Sequence, residues 1–588
     1  LAWAIVLWGA WGWFVQIPIE GFGFHAIVGG MGMGFASSAG KRASAWVVPL
    51  VVMMLGCGSS SEQGASPVTG PDEGTGGNGA AGQGHHEGTG GAAANGSGGS
   101  STGGAGAHGA VGGSGAEAGS GANGGQTGSP FTYGLNLGYY NPQLNDSEES
   151  QLGLAAGANS HRHKLTEPFL DRWGDDIHVQ ELSGMLQAGE QDLVCFLVGA
   201  SEAHSTAPAG SADWQREHYS PNNLYEPIFT DNGQVNPNNP WAAFVARVVT
   251  TYSPYIHTWE VWNEPDQVGG HWQATSSWDT QPPNPSDLIW WNDTIFAYIR
   301  LLRVTWEVVH HLDPQGKVAL GGIGYPSFLN AILRYTDEPT SGKVDADHPR
   351  KGDAYFDVVS FHYYPIFSNG NSDAGAKGLL HLYDQLQTQL EKAGVSGKTF
   401  IVTESGAPRF AVDGRPGGKD YAANYLMKAM ALAQNAGIDR IDWFILGDSA
   451  DPGASSSPFD YMGLYENLMN ISELGQAILT DTGVAYATLG GLLAGAHSDP
   501  VATQALGSPS SVALRTKQGD RAYVVWAETT AGEGASATIS VPASHDVTVY
   551  RWDYSKTKKT QTLSPNGGAV VVDISSAPSI LITPMPVP

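Results

Sequence analysis

TWEVWNEPDQ, residues 258–267, begins like a strand and stops at a proline. Its aromatic and β-branched residues favour an extended, half-buried chain, and Pro265 has no N–H to give to a ladder. The expectation is that Glu264 closes a strand, with its carboxylate where the chain is about to turn. Parallel barrels keep their chemistry at such strand ends, and a catalytic carboxylate there needs a partner from another strand end.

Outward from this stretch, short apolar runs alternate with helical patterns from residue 131 onward. The runs are FTYGLNLG (131–138), ANSHRHKL (158–165), LVCFLVGA (193–200), IHTWEVWNE (256–264), KVALGGIG (317–324), FDVVSFHYY (356–364), KTFIVTES (398–405) and RIDWFILGD (440–448). Helices are expected over 241–252, 292–312, 378–394 and 422–437, the last two stopped by Gly394 and Gly437. Eight strand and helix units predict an α/β fold, a (β/α)8 barrel, over residues 131–488. Long insertions after the third and fourth strands carry Trp214, Trp272, Trp278, Trp290 and Trp291 toward the substrate face, where some of them are expected to touch ligand. From 489 to 588 the pattern changes to alternating short strands with turn signals such as Asn566-Gly567, which predicts an antiparallel β-sandwich.

The second carboxylate is in KTFIVTESGAP, residues 398–408, where Glu404 closes the seventh run as Glu264 closes the fourth. Two carboxylates facing each other across a barrel mouth can divide the work of breaking a glycosidic bond. One attacks the anomeric carbon while the other protonates the leaving oxygen, at a separation of about 5–5.5 Å in retaining enzymes.

In these stretches, taken in order, the chain resembles the glycoside hydrolases of clan A, and within them family 39 and its relatives. EVWNEPD (260–266) resembles the fourth-strand signature, which implies that Glu264 is the general acid/base and that Asn263 binds the sugar's 2-hydroxyl. VTESG (402–406) resembles the seventh-strand nucleophile, implying that role for Glu404, although Ser405-Gly406 leans toward family 5. DVVSFHYYP (357–365) resembles the sixth strand, so that His362 lines the site and Tyr364 hydrogen-bonds the nucleophile. GANSHRHKL (157–165) matches the second strand and gives Arg162 the support of the nucleophile, its neighbours His161 and His163 being read otherwise as a solvated charge cluster. YMGLYE (461–466) resembles the exit from the eighth strand, and Trp443 is expected to form an apolar platform under the sugar. The resemblance implies no cofactor and no metal. The acid has to hold its proton near neutral pH, which calls for partial burial and the nearby charge of Glu404.

The remaining segments bear on location. Residues 58–130 hold 27 of the 79 glycines and read as a flexible linker; the spacing of His85, His86 and His108 within it matches no trusted metal-ligand pattern. Before it, KRASAWVVPLVVMMLGCGSSS (41–61) resembles a bacterial lipoprotein signal, with Cys57 lipidated, which places the protein at a cell envelope or surface. Residues 1–40 read either as a short transmembrane helix or, preferably, as a mis-assigned start ahead of Met31 or Met33. Besides Cys57 the chain has one cysteine, Cys195, so no disulfide is expected. A formal charge of −27 argues against nucleic acid as a partner and toward a neutral poly- or oligosaccharide; no obligate protein partner is evident. The competing reading is an inactive glycan-binding surface lipoprotein of the same fold.

Overall fold

The computed structural model of the chain describes residues 3–7, 14–18, 130–138, 140, 144–269, 276–368 and 370–585. Cys57, the export signal, the glycine-rich linker and Trp272 lie outside the described residues. In the N-terminal unit, taken by itself, Trp3–Leu7 pairs antiparallel with Phe14–Pro18, so the described part of that stretch is extended rather than helical. Among the described residues no helix is long and apolar enough to cross a membrane.

Eight parallel strands close into a barrel: β1 (Thr132–Asn136), β2 (Ser160–Leu165), β3 (Leu193–Leu197), β4 (Ile256–Val261), β5 (Lys317–Leu320), β6 (Val358–His362), β7 (Thr399–Ser405) and β8 (Arg440–Trp443). Neighbours follow chain order, and β8 closes on β1 with Arg440 opposite Thr132 and Trp443 opposite Leu135. Every run singled out in the sequence supplies one strand. The helices of the barrel region are α1 (Asp146–Ala155), α2 (Glu167–Trp173), α3 (Val179–Gln187), α4 (Asp213–Arg216), α5 (Pro240–Tyr252), α6 (Ile295–Leu312), α7 (Pro326–Arg334), α8 (Ser372–Ala393), α9 (Lys419–Ala436) and α10 (Asp481–Leu493).

Gly394 and Gly437 end α8 and α9 in left-handed geometry, at φ 71° and 87°, as the sequence predicts. Helix α8 starts six residues before the predicted position because Asn371 caps it, its side chain accepting from the Ala374 N–H at 2.9 Å. The glycines that hide this first turn from a propensity reading serve close packing. A Cβ on Gly375 would sit 2.8 Å from Pro365, and one on Gly378 would overlap the Tyr363 hydroxyl at 1.9 Å.

Beyond the barrel come β9 (His497–Ser498), β10 (Ser511–Arg515), β11 (Arg521–Val525), β12 (Ser536–Pro542), β13 (Val547–Arg551), β14 (Thr560–Leu563), β15 (Ala569–Ser575) and β16 (Ser579–Thr583). They form an antiparallel sheet in the order β9-β10-β11-β16-β13-β14, faced by the pair β12-β15. Tyr523, Val525, Val541, Val549, Val572 and Leu581 are buried between the two layers, as a sandwich requires. Helix α10 runs across residue 489, where the change of sequence texture was read.

Candidate active site

The fourth strand stops at Val261, three residues before Glu264, rather than at Glu264 itself. Trp262 (φ 76°) and Glu264 (φ 46°) are both left-handed, which breaks the ladder before the proline is reached. Such conformations cost about 1–3 kcal/mol each and persist only where surroundings over-determine them. Here the Trp262 N–H donates to the Leu197 carbonyl at 2.9 Å and its indole N–H to the Trp290 carbonyl at 2.6 Å, while the Glu264 N–H donates to the Gly321 carbonyl at 2.6 Å. The glycine pair after β5 makes room for this turn. A Cβ on Gly321 would lie 2.4 Å from the Val261 oxygen, and one on Gly322, itself at φ 65°, 2.1 Å from His362 Nε2.

Glu404, at the penultimate position of β7, is held from both sides. Arg162 Nη1 donates to its Oε1 at 2.6 Å and the Tyr364 hydroxyl to its Oε2 at 2.7 Å. Burial pushes this carboxyl up, but the adjacent His362 and Arg162 charges and the two hydrogen bonds outweigh it and hold Glu404 below the usual carboxylate range. Tyr364 stands edge-on between Phe444 and Phe459, which fixes its hydroxyl. Arg162 is itself fixed by four further contacts. Its Nε donates to Glu260 at 2.7 Å, its Nη2 to the Asn263 amide oxygen at 2.8 Å and its Nη1 weakly to Asn136 at 3.4 Å, and its guanidinium lies 4.0 Å over the Phe196 ring.

Glu260 is fully buried, and sequence reasoning passed over it although a carboxylate inside an apolar strand signals a partner. Ser360 and Thr403 each donate to its Oε1 at 2.8 Å, so with Arg162 it ties β2, β4, β6 and β7 together one layer below the mouth. This network assigns the protons on His362. Thr403 gives its hydrogen to Glu260, so it accepts from His362 Nε2 at 3.1 Å, and Nδ1 faces Glu264 Oε1 at 2.8 Å. His362 Nδ1 and Glu264 Oε1 are thus placed to pass a proton between them. Burial draws His362 down, yet Glu404 and Glu264 raise it above the ordinary imidazole value.

An oxygen of Glu264, an oxygen of Glu404 and a ring nitrogen of His362 lie within 4.8 Å of one another. Such a triad is also a candidate set of metal ligands. Here both Glu404 oxygens already accept strong hydrogen bonds, and the Arg162 guanidinium at 2.6 Å opposes a second cation. The arrangement instead suits one carboxylate held ionised opposite a carboxyl–imidazole pair carrying a proton.

The structure thus gathers Glu264, Glu404, Asn263, Arg162, His362 and Tyr364 at one end of the barrel. It does not bring Trp443 there. Trp443 is 1% exposed, its indole N–H donates to the Met462 carbonyl at 2.9 Å and its ring packs 6.1 Å from Tyr425, which leaves no face for a sugar. Phe444, the next residue, is the one that meets Tyr364. Of the described loop tryptophans, Trp278 and Trp291 are buried, Trp290 is half-buried and stacks on His218 at 5.7 Å, and Trp214 is 58% exposed. His161 and His163 are not a solvated cluster; both turn away from the barrel interior and are enclosed behind β2.

No known family's sequence profile matches the chain, and no curated protein matches it by sequence. Solved structures do resemble it. A family 39 glycoside hydrolase from the gut symbiont Bacteroides cellulosilyticus WH2 superposes with a TM-score of 0.50 at 17% identity, covering 77% of this chain and 81% of that one. A GH30 endoxylanase from Clostridium papyrosolvens C71 gives 0.47 at 13% identity, with 79% and 98% covered. A monomeric β-xylosidase from Caulobacter crescentus CB15 gives 0.47 at 16%, with 78% and 97% covered. The first of these likenesses establishes the fold. It is to the same family that the strand-end motifs resemble.

Proposed function

We propose that the chain is a retaining glycoside hydrolase that cleaves β-glycosidic bonds of a neutral poly- or oligosaccharide. The observation that carries this reading is the pair Glu264 and Glu404, with oxygens within 4.8 Å. Inverting enzymes need about 6.5–9.5 Å between their carboxyls to admit a water, whereas retaining ones need contact distance to the same carbon. Glu404 attacks the anomeric carbon as the bond to the leaving oxygen breaks, and that oxygen takes the proton held between Glu264 and His362. A glycosyl ester on Glu404 results. Glu264 then accepts a proton from water, whose oxygen attacks the same carbon and releases Glu404 as a carboxylate.

Arg162 and Tyr364 act on the nucleophile. They stabilise its charge before attack and hold one oxygen toward the sugar, a positioning effect that a loose carboxylate lacks. The intact machinery favours the enzyme over the glycan-binding reading, because a binding protein has no use for a carboxylate held ionised against burial. The lipoprotein-like signal ending at Cys57 and the glycine-rich run after it support secretion to a cell envelope on a tethered lipid anchor. The acidic net charge of −27 supports an uncharged substrate such as a β-xylan or β-glucan.

The test is to follow anomeric proton signals by NMR during incubation with β-xylo- and β-gluco-oligosaccharides, with Glu404→Gln as control. A first-formed product of the substrate's own configuration, absent in the variant, is the expected result. A first product of inverted configuration would falsify the nucleophile role.

A further inference from the structure

We propose that His163, His178, Glu181 and Asp146 form a binding site for one divalent cation of the zinc class, on the flank of the barrel behind β2. The site is separate from the catalytic mouth. Arg162 points into the barrel toward Glu404, and the next residue, His163, points out into the layer beneath α1 and α3. There it faces Glu181 of α3, which in turn meets His178 at the N-terminus of α3, and His178 meets Asp146 at the start of α1.

One donor atom from each of Asp146, His178 and Glu181 lies within 4.8 Å of the other two. His178 Nδ1 is 2.7 Å from Glu181 Oε2 and 3.4 Å from Asp146 Oδ2. Ligands about 2.0–2.2 Å from a tetrahedral zinc are about 3.3–3.6 Å apart, so small movements would bring these atoms onto one ion.

The independent sign of a missing occupant is what the cluster leaves unpaired. Glu181 Oε1 is buried without a hydrogen-bond partner and faces His163 Nδ1 across 3.9 Å, too far for a hydrogen bond. His163 and Glu181 are each nine-tenths buried, and His163 Nε2 is unpartnered as well. A native interior seldom leaves a carboxylate oxygen in that condition.

Asp146 and Glu181 place two carboxylates against the His178 ring, charge that a divalent cation would balance. The mixture of imidazole nitrogen and carboxylate oxygen suits zinc over calcium or magnesium, which take oxygen alone. Asp146, whose side chain is 52% exposed, is the way in. With four protein ligands the site would be structural, tying α1 and α3 to β2.

The experiment uses the full chain without a polyhistidine tag, stripped with a chelator and titrated with zinc chloride by calorimetry, with thermal unfolding read in parallel. The expected result is one tightly bound zinc that raises Tm, weakened by about tenfold or more in Asp146→Asn and in Glu181→Gln, and unchanged in His85→Ala/His86→Ala. Asp146→Asn is the decisive variant, since a half-exposed isostere leaves the fold intact. Zinc uptake that is absent, equal in wild type and both carboxylate variants, or lost only with His85 and His86 would overturn the proposal.

Discussion

Glu404 lies below the usual carboxylate range only because Arg162, His362 and Tyr364 together outweigh the burial that raises it. Its charge, and the stability that comes with it, is therefore present above the unfolded carboxylate value and is lost as pH falls through its lower folded value. His362 has the opposite sign. Raised above 6.5, it contributes stability that is complete below that value and lost as pH rises through the folded one. On the roles proposed above, Glu404 must be ionised and the Glu264–His362 pair must hold its proton, so kcat/KM should plateau between about pH 4.5 and 6.5, with both limbs outside that window. Tyr364→Phe removes one hydrogen bond from the ionised Glu404, and its acid limb should move upward by about half a unit to one unit while the alkaline limb stays. A pH profile in which both limbs move together would contradict this division of labour. Substitution at the carboxylates separates the two roles further. Glu404→Gln should lose activity on every substrate, whereas Glu264→Gln should lose about 10²–10⁴-fold on natural glycosides and far less on an aryl glycoside whose leaving group needs no proton.

Between the elements, the close passage of β5 beneath the β4 turn is what keeps Glu264 in place. Gly322 is left-handed and a Cβ there would overlap His362, so Gly322→Ala combines backbone strain with displacement of the imidazole. The expectation is about 1–3 kcal/mol of lost stability in chemical denaturation, together with a fall in kcat that is larger than any change in KM. The same junction shows what a sequence can and cannot reveal about such a site. The charged Arg162 and Glu260 inside apolar strands stand out as residues that must be paired. Eight strands and both carboxylates were legible because strand periodicity and strand-end chemistry are local. The early end of β4 was not, because nothing in Trp or Glu announces positive φ; the turn is imposed by carbonyls of β3 and the β5 loop far away in sequence. Trp443 was misplaced for a related reason. Its position at a strand end is local, but its burial is set by Met462, nineteen residues on.

Across the molecule, the barrel and the C-terminal sheets meet at a buried polar knot where α8 begins. Asp373 accepts from the Trp526 indole at 2.8 Å on one oxygen and from Lys428 at 2.9 Å on the other. Glu533, from the loop after β11, accepts from the Ser372 backbone at 2.8 Å and from Asn424 at 2.9 Å. Lys428 has no exposed side chain, and burial draws its ammonium below the ordinary lysine value despite Asp373. A charge kept in such a place depends on its partner, and the knot joins two layers: Asp373 and Lys428 come from barrel helices, and Trp526 directly follows β11. Removing one member leaves the other buried and unpaired, which typically costs about 3–5 kcal/mol, whereas replacing a buried pair by apolar residues of similar volume is often neutral. Lys428→Ala should therefore lower Tm sharply and lower it for barrel and sheets alike, in one calorimetric transition. The double replacement Lys428→Met with Asp373→Leu should recover part of that loss, although it also strands the Trp526 indole N–H. If Lys428→Ala instead splits the unfolding into two transitions, the sheets are an independent domain merely resting on the barrel, and the knot is an ornament of the interface rather than the coupling between its halves.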